Sequence, residues 1–256
     1  MKRVAALRWL GWALCAAGSL VFGGCAQIGH RDAIDELAQF QPLAGFGRVR
    51  HAEGGEAFAR EASAVLDAAA AHVEAVHQRP FRTPPLVYVC GTEACFHRFV
   101  DPRWNFVAAV VYDNRLVLSP RLFAGERQRL VPVLLHELSH VHLGQTRGHY
   151  SMDIPVWFHE GLASFVALGG GADLVSDARA WAAIAAQRHF LPDEQHLPWR
   201  RRMAEHWRLS TSLLYRQALL FVRTLHARGP QAFGRLLLSL QGGGAFDGPA
   251  AQGEHS

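Results

Sequence analysis

Two apolar segments near the middle of the chain, "VPVLLHELSHVHLG" (131–144) and "DIPVWFHEGLASFVALGGG" (153–171), each carry ionisable residues inside a run that water should not reach. An ionised group taken out of water costs several kcal/mol or more unless it is paired or binds a metal, so such runs fold only where the polar residues of one meet those of the other. The first segment reads as a helix running at least from Pro132 to Leu143, with Gly144 as its stop and Pro132 as a possible kink in a longer helix from near Arg127. The second reads as a helix with Pro155 near its first turn and Gly169 at its end.

Within the first helix, His136 and His140 stand four apart, on one face and about a turn from each other, so their imidazoles can converge on one ion. Glu137 projects beside them, where a nucleophilic water would sit. The pattern alone is weak: 15 His and 12 Glu in 256 residues give roughly one accidental HExxH per twenty-five such chains. A zinc hydrolase needs a third protein ligand and one open position. Glu160, 20 residues after His140 and in the middle of the second apolar helix, supplies a candidate. Gly161 beside it costs about 1 kcal/mol relative to alanine in mid-helix, which implies close packing against another helix. His142 and His159 flank the motif but point off its metal face, and His149 lies in the connecting loop; each reads as a surface or supporting histidine.

These segments resemble those of the gluzincin metallopeptidases, in which an HExxH helix is followed by a helix bearing a glutamate ligand. "WFHEGLASFVALG" is similar to the Trp-Leu-Asn-Glu-Gly-Phe-Ala-Ser-Tyr stretch of aminopeptidase N-like enzymes, and the resemblance spans about residues 85 to 240. It implies one Zn2+ held by His136, His140 and Glu160, Glu137 as general base, and Ser164, one turn after Glu160, as a supporting residue. It also implies an oxyanion donor at Tyr215, in "STSLLYRQALLFVRTLHARG", although the glycine two residues after that tyrosine in the family is Gln217 here. No Gly-x-Met-Glu-Asn strand precedes the motif helix, so recognition of a free amino terminus is not implied. The expectation is a compact peptide-bond hydrolase acting on a peptide or protein. The alternatives are a non-catalytic zinc-containing module for binding or assembly and a metal-sequestering protein, though no clustered histidine tract supports the last.

The remaining pattern gives an α+β order: a small N-terminal sheet with an edge hairpin, then a helical zincin-like lobe. A helix is expected over 56–77, from the spacing of Phe58, Ala62, Val65, Ala69 and Val73, then a strand at "LVYV" (86–89) and a short helix near 94–99. A hairpin through "DNR" should follow, offering an edge strand on which a peptide could lie by strand addition around Val110 to Leu118. Ser119 and Pro120 open the next helical segment, and later helices are expected over about 172–188, 210–228 and 230–241.

Residues 1–25 read as an export signal, with Lys2 and Arg3 before a 14-residue apolar stretch from Trp9 to Phe22 that is short for a membrane span. "LVFGGCAQ" then resembles the lipobox of bacterial lipoproteins, which implies a lipid on Cys25 and a membrane tether. Ala26 in place of aspartate favours the outer membrane, facing the periplasm. Simple cleavage and release, or a retained anchor, are the alternatives. Residues 26–54 read as a linker, 55–242 as the zinc metallopeptidase-like domain and 243–256 as a flexible tail. Cys90 and Cys95, five apart at the end of a strand, could form a disulfide in an oxidising compartment. The net charge of +4 is carried almost wholly by arginine, with no basic run interleaved with aromatics, so nucleic acid is not an expected partner.

Overall fold

The computed structural model describes residues 30–100, 107–147, 154–192, 204–244 and 246, with the side chains at 30, 31, 146 and 147 excepted. The expected signal with Cys25, His149 in the loop and nearly all of the expected tail lie outside the described residues.

The chain opens with α1 (His30–Leu37), β1 (Gln41–Leu43), β2 (Phe46–His51) and α2 (Glu56–His77). It continues with β3 (Leu86–Val89), α3 (Glu93–Phe96), β4 (Ala109–Tyr112), β5 (Arg115–Leu118) and α4 (Arg121–Ala124). A 3-10 turn at Arg127–Arg129 leads into α5 (Leu130–Arg147), followed by α6 (Val156–Val166), α7 (Asp177–Ala185), α8 (Thr211–Arg228) and α9 (Pro230–Gln241). The fold is α+β: five strands in the order β1-β2-β3-β5-β4, then a helical region. β2, β3 and β5 run parallel, while β1 and β4 pair antiparallel at the two ends.

Alternation along the strands divides the interior into two cores. Val87, Val89, Leu116, Leu118, Ala109 and Val111 face a large core shared with α2, α5, α6 and α8. Tyr88, Cys90, Val117, Val110 and Tyr112 face a smaller one with Leu37, Phe40, Phe96 and Phe99. The disulfide between Cys90 and Cys95 ties the end of β3 to α3 within this smaller core.

Several expectations are corrected. The stretch 26–54 is not a linker from His30 onward, because α1, β1 and β2 bury Ala33, Leu37, Phe40, Leu43 and Val49. Turn-forming residues there serve the hairpin of β1 and β2 and do not mark an unfolded spacer. Gly144 does not end the motif helix. The helix continues because Gln145 is tied to the loop after α2, accepting from the backbone N–H groups of Arg82 and Thr83 and donating to the Thr83 carbonyl. The helical run does begin near Arg127, as a 3-10 turn, and α5 proper starts at Leu130, so Pro132 sits in its first turn, where a missing N–H is tolerated. α6 stops at Val166, and Leu168 and Gly169 follow with positive φ, 55° and 109°. The helix expected from 172 begins only at Asp177, where the Ser176 side chain caps the Arg179 N–H. β4 does end the sheet, but all four of its residues are buried, so it does not present an open strand to solvent for peptide addition.

Gly161 explains how α6 meets α8. A Cβ there would stand 2.6 Å from the Ala218 carbonyl oxygen and 2.8 Å from Val222 Cγ2. Only a residue without a side chain permits that approach, and it fixes the depth at which the neighbouring Glu160 is held. Among the described residues, no helix is long and apolar enough to cross a membrane.

Candidate metal centre

α5 supplies the two histidines one turn apart, and α6, packed across it, brings Glu160 up to them. His136 Nε2 lies 3.4 Å from one Glu160 oxygen, His140 Nε2 lies 3.6 Å from the other, and the two Nε2 atoms are 3.2 Å apart. These donor atoms all fall within 4.8 Å of one another. Glu160 is only 1% exposed, and both histidines are buried. Two imidazole nitrogens and a carboxylate oxygen converging in a water-poor site form a donor set suited to a divalent transition metal. The three residues expected from the sequence as ligands therefore meet in a group that could hold a metal ion.

Glu137, next to His136 in α5, is 9% exposed, and its buried Oε2 has no hydrogen-bond partner among the described residues. A buried carboxylate oxygen left without a partner is uncommon and points to a role other than packing. Ser164 is wholly buried one turn beyond Glu160, but its hydroxyl makes no hydrogen bond to the cluster. Tyr215 is half-buried on α8, packed against the large core. It stands one turn before Ala218, whose carbonyl abuts Gly161, the residue next to Glu160.

The flanking histidines divide. His159 stacks on His140, ring centroids 4.5 Å apart and 14° between planes, and so bears directly on a candidate ligand. His142 points away from the metal face, as expected, but it is buried and not at the surface. Its Nε2 donates to the Arg79 carbonyl at 2.8 Å and its ring lies 4.3 Å from that of His77.

His77, in the last turn of α2, is a residue that its place in an alanine-rich helix gave no reason to single out. It is fully buried behind α5, 2.9 Å from the hydroxyl of Ser139, between the two candidate ligands. The amide of Gln241, at the end of α9, donates to the His77 carbonyl and approaches its Nδ1 at 3.5 Å. Burial pushes the His77 pKa well below the ordinary histidine range, and the imidazoles of His142, His140 and His159 push it the same way. His77 is therefore neutral in the folded protein. A second signal is also absent from any motif: the Gly170 carbonyl, on the turn after α6, lies 3.2 Å from His136 Nδ1.

Because His77 has a depressed pKa only when folded, the unfolded chain takes up a proton near pH 6.5 that the folded chain does not, and stability falls as pH drops through that value. One such proton contributes a slope of up to about 1.4 kcal/mol per pH unit. Denaturant midpoints measured from pH 7.5 to 5 with a chelator present should decline in the wild type. They should decline less steeply in His77→Gln, and identical slopes would remove His77 as the source.

Comparison with known proteins places the chain beside no named group: no family model, no curated protein and no solved structure matches it.

Proposed function

We propose that the protein is a zinc-dependent peptide-bond hydrolase of gluzincin type, working while tethered in the bacterial envelope. The observation that carries this reading is the buried convergence of His136, His140 and Glu160, with a carboxylate oxygen of Glu137, one residue from His136, that has no hydrogen-bond partner among the described residues. A binding or assembly module would need the three ligands but no carboxylate beside them.

Zinc held by these residues would supply Lewis acidity, making a water nucleophilic near neutral pH and polarising a carbonyl. The chain's own groups do the rest. Glu137 takes the proton of the attacking water and delivers it to the leaving amine, moving one proton across the reaction without net gain. The rigid pairing of α5 with α6 holds the two histidines and Glu160 before any substrate arrives, so little reorganisation is required. Tyr215, on the helix that seals the far side of Gly161, would donate its hydroxyl proton in a hydrogen bond to the oxyanion.

For the tether, the support is the lipobox-like "LVFGGCAQ" together with a disulfide between Cys90 and Cys95, which persists in oxidising compartments.

Purified protein with Glu137→Gln should retain about one zinc per chain and lose roughly 100- to 10,000-fold in hydrolysis of a peptide library, since only the base is neutralised. His136→Ala should instead lose zinc and thermal stability together. Full activity in Glu137→Gln would sink the mechanism.

Tyr215→Phe is expected to lower the turnover number by about 100- to 1,000-fold with zinc content and melting temperature nearly unchanged. Normal turnover would return Tyr215 to a packing role. For the anchor, Cys25→Ala should abolish incorporation of labelled fatty acid and release the protein from the membrane fraction. A wild type that takes up no label would refute the lipid tether.

A further inference from the structure

The turn after α6 comes back onto α5, and the chain makes that return with three successive glycines, Gly169 to Gly171. Backbone bonds set its path: Gly169 N–H donates to the Ser164 carbonyl at 2.8 Å, Gly170 N–H to Ala167 at 3.0 Å and Ala172 N–H to Gly169 at 3.2 Å. Downstream, Asp173 reaches Arg129, just before α5, at 3.7 Å. The turn is thus anchored at both ends and lies across Pro132 and His136, which are neighbours on one face of α5.

The fit is too close for side chains. A Cβ on Gly170 would stand 2.7 Å from Pro132 Cβ and 2.9 Å from the Pro132 carbonyl oxygen. A Cβ on Gly171, whose φ is +79°, would stand 2.4 Å from His136 Nδ1 and 2.5 Å from its Cε1. The backbone therefore rests on the imidazole itself. Where it does, the Gly170 carbonyl lies 3.2 Å from Nδ1. A carbonyl only accepts, so Nδ1 carries the hydrogen. The neutral ring then has its lone pair on Nε2, the atom that faces His140 Nε2 and Glu160.

We propose that Gly170 and Gly171 are the positioning residues of His136: the carbonyl of one fixes the tautomer and tilt of the ring, and the bare Cα of the other lets that carbonyl reach it. This inference rests on the metal reading above. It gives α6 two duties, since the helix bears the ligand Glu160 and its C-terminal turn orients a ligand on the neighbouring helix. Partners of this kind commonly account for 10- to 100-fold in metal affinity.

Gly169 provides the control. Its φ of +109° is equally unsuited to a side chain, but an added Cβ there meets only Arg223 Nη2 at 3.7 Å and Arg216 Nη1 at 3.9 Å, ordinary contacts. Zinc affinity, measured by competition with a chromophoric chelator, should fall about 10- to 100-fold in Gly171→Ala and stay within about threefold of wild type in Gly169→Ala. The visible absorption of the cobalt-substituted protein should shift in the first variant only. Equal affinities in the two variants would overturn the inference, because strain alone would then account for both. Should Gly171→Ala not fold, nitrogen-15 spectra of zinc-loaded wild type decide: His136 protonated at Nδ1 is the expected result, and protonation at Nε2 overturns the proposal. A wild type that binds no zinc would overturn the metal reading itself, which separates the two failures.

Discussion

Everything in the helical half is arranged around one carboxylate placed where water does not reach. Glu160 sits in the middle of the apolar helix α6 with its two oxygens against two imidazoles of α5. Burying it without those partners costs several kcal/mol, roughly half or more of what a domain of this size has to spare. The demand explains the local oddities. Gly161 brings α6 hard against α8 so that Glu160 stays at the right depth, and α2 braces α5 from behind through the bond of His77 to Ser139. Breaking the meeting of α5 and α6 leaves an orphaned charge in the core and not merely a lost contact.

The order of the chain suits that demand. The candidate ligands His140 on α5 and Glu160 on α6 are separated by a span of 20 residues, so the loop that joins them closes at small entropic cost. α8, which covers Gly161, and α9, which reaches His77 through Gln241, arrive later in the chain. The pair of helices that carries the candidate ligands is thus a local unit onto which segments more distant in the chain pack.

How much of this could be read from the sequence follows from the kind of force involved. Where burial and spacing dominate, the pattern was legible. The limits of α2 and of the strand at 86–89 match periodicity directly, and the three candidate ligands are visible as ionisable residues stranded in apolar runs. Where a distant side chain decides, the pattern misled. Gly144 carries a stop signal, but the tie from Gln145 to the loop after α2 carries the helix past it. The short strands β1 and β2 are hidden among glycines and charged residues because only Leu43 and Val49 are buried, the other residues being exposed or half-buried. His77 and the Gly170 carbonyl were invisible for a deeper reason: one is an ordinary residue in an alanine-rich helix and the other is backbone. Each acquires its role only from what folding places beside it.

The sheet that separates the two cores also separates two kinds of fastening. On one side lies a group of imidazole nitrogens and a carboxylate that could hold a metal ion, with no sulfur among them. On the other, Cys90 and Cys95 are joined by a covalent bond that only electrons can undo. A chelator has nothing to seize at the disulfide, whereas a thiol reductant opens it and, through its own sulfur, would also compete for a zinc ion in the other group. The two fastenings thus differ in what closes them: loss of two electrons makes the one, and an ion held by nitrogen and oxygen donors would make the other.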